Sequence, residues 1–219
     1  MIKAVIFGMN GVIYDSTPYI WKARQEYLKQ KGFSLTQADT KELLGHSLQD
    51  QLHKLSHRFG IELDYDDFSE KTRALAVQFM KGIIQPNLGL ISLLLDLQKN
   101  KIKLTIATLF PGRMLQEDLS ILNLTDHFPI TIALEETDRH KNSPDMLLKA
   151  AKRLGVKPEE CVYIDDSVDG ITVAKQIGMK FIGKVTQFHK AEEFKGADLV
   201  VNSLEELNAD KILKLSEDA

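Results

Sequence analysis

The chain is short of the features that mark out several protein classes. It has a single cysteine, Cys161, so no intrachain disulfide can form, and a reducing compartment, the cytoplasm, is the expected location. It has no long apolar run: Ala4 to Phe7 is far too short for a signal-peptide core or a membrane span, and no membrane association is expected. It has no strong charge bias. Lys and Arg total 28 against 31 Asp and Glu, and a net charge of -3 gives no general drive towards nucleic acid, while leaving room for a local anion pocket. Repeats, low-complexity tracts and long flexible linkers are also missing, and only Ser216 to Ala219 is expected to fray. What is present is an ordinary globular mixture, 43% hydrophobic and 27% charged over 219 residues, enough for one well-buried core with a smaller satellite domain.

Lys3 to Phe7 is a short β-branched, apolar run ending at Gly8, which reads as a buried strand followed by a turn. Runs of the same character recur at Ile102 to Ala107, Ile130 to Leu134, Cys161 to Ile164, Met179 to Ile182 and Asp198 to Val201. Helical patterns lie between most of them, at Leu88 to Gln98, Gly112 to Leu122, Pro144 to Leu154, Val168 to Ile177 and Leu204 to Leu215. The alternation predicts a doubly wound, Rossmann-like parallel α/β sheet. Residues 16–85 carry no strand signal, and their apolar residues recur at helical spacing, as in Leu43, Leu44, Leu48, Leu52, Leu55 and Phe59. We therefore expect an α/β core domain of residues 1–15 and 86–219 with an inserted all-helical domain, a cap over the catalytic edge, at 16–85.

In such a sheet ligands bind beyond the carboxyl ends of the strands, so the residues ending each strand are the candidates for chemistry. They are Gly8 to Asn10 after the first strand, Thr108 after the second, and Asp165 with Asp166 after the strand at Val162 to Ile164, while Lys141 precedes a helix. Each has a bland alternative. A threonine there is commonly a turn or cap residue, a lysine is commonly solvated, and tandem aspartates suit a helix N-terminus. Their coincidence at successive strand ends favours a site.

These stations, in this order, resemble the four motifs of the haloacid dehalogenase superfamily along nearly the whole chain. The Asn10-Gly11-Val12-Ile13-Tyr14-Asp15-Ser16 segment, Lys141-x-x-Pro144-Asp145, and Asp165-Asp166-Ser167-x-x-Gly170 are similar to its helical-cap branch, which includes β-phosphoglucomutase-like and phosphoglycolate-phosphatase-like enzymes. The resemblance implies that Thr108 hydrogen-bonds a phosphoryl oxygen and that Lys141 neutralises phosphate charge. It also implies that Asp165, Asp166 and the backbone carbonyl of Asn10 hold Mg²⁺. Gly45 and His46, in Leu44-Gly45-His46-Ser47-Leu48, resemble a substrate-selecting cap loop. Leu48 and Ile20 stand where mutases carry an arginine and a histidine, so a monophosphate is a better ligand than a bisphosphorylated sugar.

The departures are as informative as the matches. The family places its aspartate nucleophile where this chain has Gly8, and its acid/base aspartate where it has Asn10. Glycine has no side chain to attack phosphorus, and an asparagine amide cannot cycle a proton at neutral pH. Asp15 reads as structural or hinge support, and deamidation of Asn10-Gly11 would restore an acid at one position only. The resulting expectation is a phosphatase-like pseudoenzyme, impaired in catalysis. It keeps a pocket for inorganic phosphate or a small phosphorylated metabolite with weak Mg²⁺ support, as a monomer or weak dimer. A slow Mg²⁺-dependent phosphomonoester hydrolase and a non-enzymatic partner-binding scaffold are the alternatives. His53 and His57 share a helical face but have no third ligand beside them, and Trp21, Tyr19 and Tyr27 are expected to pack between helices.

Overall fold

The computed structural model of the chain describes residues 1–43, 48–137, 143–187 and 189–216. Two compact units emerge, one formed by Met1–Asp15 with Gln85–Ala219 and the other by Ser16–Ile84.

The first unit is built on a six-stranded sheet. Its strands are β1 (Ala4–Phe7), β2 (Lys103–Ala107), β3 (Thr131–Ile132), β4 (Cys161–Asp165), β5 (Lys180–Lys184) and β6 (Leu199–Val201). They run in the order β3-β2-β1-β4-β5-β6, and every pairing is parallel. All four residues of β1 are buried, as a central strand covered on both faces requires, which is why its sequence is continuously apolar rather than alternating. The chain winds outwards from β1 to β3 and then restarts at β4 on the other side of β1. The switch point of the topology therefore falls between the ends of β1 and β4.

Helices Leu90–Lys99, Gly112–Ile121, Asp145–Leu154 and Asp169–Gln176 lie between these strands, and Ala209–Lys214 follows the last of them. The helix Asp145–Leu154 turns Leu147, Ala150, Ala151 and Leu154 into a core shared with Tyr163, Ala174 and Phe181. The C-terminal segment departs from the single helix expected at Leu204 to Leu215. It forms a turn of 3-10 helix at Leu204–Glu206 and restarts at Ala209, because the Asn208 side chain accepts the Lys211 N–H at 2.8 Å and caps a new helix. The expected strand at Ile130 to Leu134 is only Thr131–Ile132, since Leu134–Glu136 turns away as 3-10 helix.

The second unit is helical, with Thr17–Gln30, Gln37–Leu43, Leu48–Phe59 and Tyr65–Met80. Trp21, Tyr27, Leu28, Leu52, Leu55 and Phe68 form its core, and Tyr27 meets Phe68 edge to face at 4.9 Å. The acidic stretch after Leu63 starts the last of these helices, where the Asp64 side chain accepts the Asp67 N–H at 2.8 Å.

Candidate active site

The segment following β1 is a tight loop pinned from several sides. Gly8 N–H donates to the Ile164 carbonyl at 2.8 Å, Gly11 N–H to Tyr14 at 2.8 Å, and Ile13 N–H to Met9 at 2.9 Å. Tyr14, almost wholly buried, donates its hydroxyl to Asp118 at 2.5 Å. Asn87 closes the loop from outside: its amide donates to the carbonyls of Gly11 and Val12, both at 2.9 Å, and its own N–H donates to Ile13 at 2.8 Å. Asn87→Ala removes both side-chain bonds and is expected to lower unfolding free energy by about 1–3 kcal/mol, read from a urea titration of the whole chain. An unchanged midpoint would show that water replaces the amide freely.

At the end of β4 stand Asp165 and Asp166, and both press against glycines of this loop. A Cβ at Gly8 would lie 2.1 Å from Asp165 Oδ1, and a Cβ at Gly11 would lie 2.1 Å from Asp166 Oδ2. Gly11 has φ of +75°, a conformation that L side chains rarely adopt. The space in which a side chain at position 8 would begin is thus occupied by the Asp165 carboxylate. The Tyr163 hydroxyl and the backbone N–H groups of Asp166 and Ser167 are the polar neighbours that favour the charged form of Asp165 through hydrogen bonding.

Crowding shows in the proton affinities. Burial, then the Asp166 charge, push the Asp165 carboxyl up to about 8 against the pull of those hydrogen bonds. Burial pushes Asp166 up to about 6, with His189 and Lys184 holding it down and Asp15 acting the other way. Both shifts run upward, as burial of neighbouring carboxylates requires.

Around them is a cavity of about 180 Å³ lined by Gly8, Asn10, Thr108, Ser143, Asp165, Asp166 and Asp169, with Met9, Phe110 and Met146 as its apolar wall. Its size suits a small ligand. Thr108 is buried, and its hydroxyl oxygen accepts the Phe110 N–H at 3.1 Å, so it fills the turn role and also faces the cavity. The structure thus brings Gly8, Asn10, Thr108, Asp165 and Asp166 together around one cavity. Lys141, Gly45 and His46 lie outside the described residues. A larger cavity of about 490 Å³ lies in the helical unit, lined by Asp39, His53, His57 and Arg58 among others, and there Arg58 pairs with Asp39. It holds none of the strand-end residues.

Sequence reasoning missed Lys184 and Tyr163. Lys184 ends β5, is only 9% exposed, and interacts electrostatically with Asp166 and Asp15. A charged residue inside the apolar run Phe181-Ile182-Gly183-Lys184-Val185 was the available signal.

The donor set for Mg²⁺ fits poorly as it stands. The Asp165 carboxyl is buried and favours its protonated form, which is a poor ligand for a hard cation. Asp166 already has Lys184 as a positive neighbour, and among the described residues no three His, Cys, Asp or Glu side chains are gathered to hold a metal.

A parallel doubly wound sheet with paired carboxylates at its switch point defines a Rossmann-like α/β protein with a strand-end site. More narrowly, residues 5–184 match the model of the haloacid dehalogenase-like hydrolases, and the chain belongs to that family. It is 27% identical over 181 residues to a phosphorylated carbohydrates phosphatase of Thermotoga maritima, covering 83% of this chain and 84% of that one. It is 28% identical over 215 residues to the β-phosphoglucomutase of Bacillus subtilis, covering 94% and 92%. A solved haloacid dehalogenase family IA hydrolase from Entamoeba histolytica superimposes with a TM-score of 0.88 at 27% identity, covering 99% of this chain and 100% of that chain.

Proposed function

We propose that this chain is a catalytically impaired phosphatase-family protein that binds inorganic phosphate or a small phosphomonoester in the cavity beyond β1 and β4. The observation that carries the reading is the filled space at Gly8. With Asp165 Oδ1 2.1 Å from where a Cβ would stand, no carboxylate can project from position 8 towards a ligand without displacing Asp165. Glycine has no side chain to attack phosphorus, so covalent transfer through position 8 is closed, and Asn10 supplies an amide where proton transfer would need an acid. What remains is suited to binding. The Thr108 hydroxyl can still donate to a phosphoryl oxygen while accepting from Phe110, and burial favours the protonated form of Asp165 and Asp166, which lessens their repulsion of an anion. Lys141, on its sequence position, supplies positive charge. The phosphatase and the mutase among the relatives act, by their names, on phosphorylated carbohydrates, which makes a sugar monophosphate the first ligand to try.

The test is calorimetric titration of phosphate and of a hexose monophosphate into the intact chain. Saturable binding at or below about 1 mM, weakened about tenfold in Thr108→Val, is the expected result. Heats indistinguishable from dilution for both ligands would overturn the reading.

A further inference from the structure

We propose that Lys184 is a built-in cation that takes the place of a divalent metal at this pocket, so that the site keeps its charge balance without Mg²⁺. The placement follows from the sheet. Asp165 pairs with Gly183 across β4 and β5, so one step further along each chain stand Asp166 and Lys184, side by side. Asp166 is the first residue beyond β4 and Lys184 the last of β5, so the two strand ends bring them close. Asp166 is brought in against the backbone of Gly11, whose missing Cβ is what admits its carboxylate.

Lys184 is itself withdrawn from solvent, with 9% exposure. A lysine is almost never so deeply placed unless a carboxylate compensates it. Its compensating charges are Asp166 and Asp15, one from the end of β4 and the other from the loop after β1. Both carboxylates favour the charged form of Lys184 against the burial that opposes it, so the ammonium supplies positive charge to an otherwise acidic end of the pocket. It lies at the end of β5, where the packed sheet fixes its backbone, whereas a metal would have to be recruited from solvent. A divalent ion entering beside Asp166 would meet this ammonium, and like charges at such range in a half-buried site repel strongly.

The inference concerns the cation and stands whether or not a phosphomonoester is the ligand. Its test is titration of MgCl₂ into the metal-stripped full-length protein, for wild type, Lys184→Met and Lys184→Arg, with thermal melts confirming that each is folded. Wild type and Lys184→Arg are expected to show no saturable Mg²⁺ binding up to about 10 mM, while Lys184→Met gains at least about tenfold in Mg²⁺ affinity. Wild type alone decides the case if Lys184→Met does not fold: Mg²⁺ binding below about 1 mM would overturn the proposal. So would a folded Lys184→Met that binds Mg²⁺ no better than wild type. Failure of phosphate binding in the separate calorimetric titration would leave this result untouched.

Discussion

Gly8→Asp is expected to destabilise the metal-free protein by about 2–4 kcal/mol, the sum of an overpacking cost and of burying one more carboxylate. The new Cβ would stand 2.1 Å from Asp165 Oδ1, so the Asp165 side chain must swing away from the Tyr163 hydroxyl and the two N–H groups that hold it. The third carboxylate would then join a pair whose proton affinities are already raised. Gly8→Ala separates the two effects, because it brings the clash without the charge and should lose roughly half as much. Millimolar Mg²⁺ should raise the melting temperature of Gly8→Asp and leave that of Gly8→Ala where it was, since only the former creates a further oxygen ligand. Equal melting temperatures for wild type and Gly8→Asp would mean that Asp165 moves aside freely. In that event Gly8→Asp with Asn10→Asp becomes the test of whether turnover of a generic phosphomonoester returns.

The second large effect is on the pH dependence of stability. Both Asp165 and Asp166 have raised proton affinity in the folded chain, against about 3.9 for an aspartate in the unfolded chain. The folded state therefore holds protons that the unfolded state has released. The resulting stabilisation is complete below about pH 4 and is lost as pH rises through about 6 and about 8. The groups facing the pair are Tyr163 beside Asp165, and His189, Lys184 and Asp15 around Asp166. Carboxylates elsewhere work in the opposite sense. Asp39, held down by Thr36 and Arg58 against its own burial, and Asp67, held down by Lys71 and Tyr27, lose their contribution as acid protonates them. Wild type should therefore be most stable near pH 5 and weaken towards pH 8. Asp165→Asn, which keeps the shape and can still accept the Tyr163 hydroxyl, should flatten that decline and exceed wild type at pH 8 by about 2–4 kcal/mol. Parallel profiles for the two proteins from denaturant titrations at pH 5 and pH 8 would rule this out.

The sheet was legible because its strands are apolar on both faces and separated by helical periodicity, and this holds best for β1 and β4, whose neighbours lie on both sides. Edge elements were less so. At Thr131–Ile132 pairing ends after two residues, and at Asn208 one polar side chain divides what reads as a single amphipathic helix. Around the cavity, residue types at strand ends were enough to collect Asn10, Thr108, Asp165 and Asp166. They could not show that Asp165 lies in the space beside Gly8, because that depends on which rotamer the packing of Tyr163 and the loop admits. Lys184 escaped for a related reason: a lysine closing a strand ordinarily reaches water, and only the parallel register of β4 and β5 sets it beside an aspartate.

The three hydrogen bonds of Asn87 have a meaning for the history of the chain. They tie the backbone just before residue 16 to the backbone just after residue 84, so the exit and re-entry points of the inserted segment are already joined within the α/β unit. Once such a seam is closed, the entropy lost by a longer insertion grows only with the logarithm of its length, about 0.6 kcal/mol for each doubling. The helical segment can therefore be lengthened, shortened or exchanged with little effect on the sheet. Selection is free to remodel the helical segment while the strand ends stay as they are.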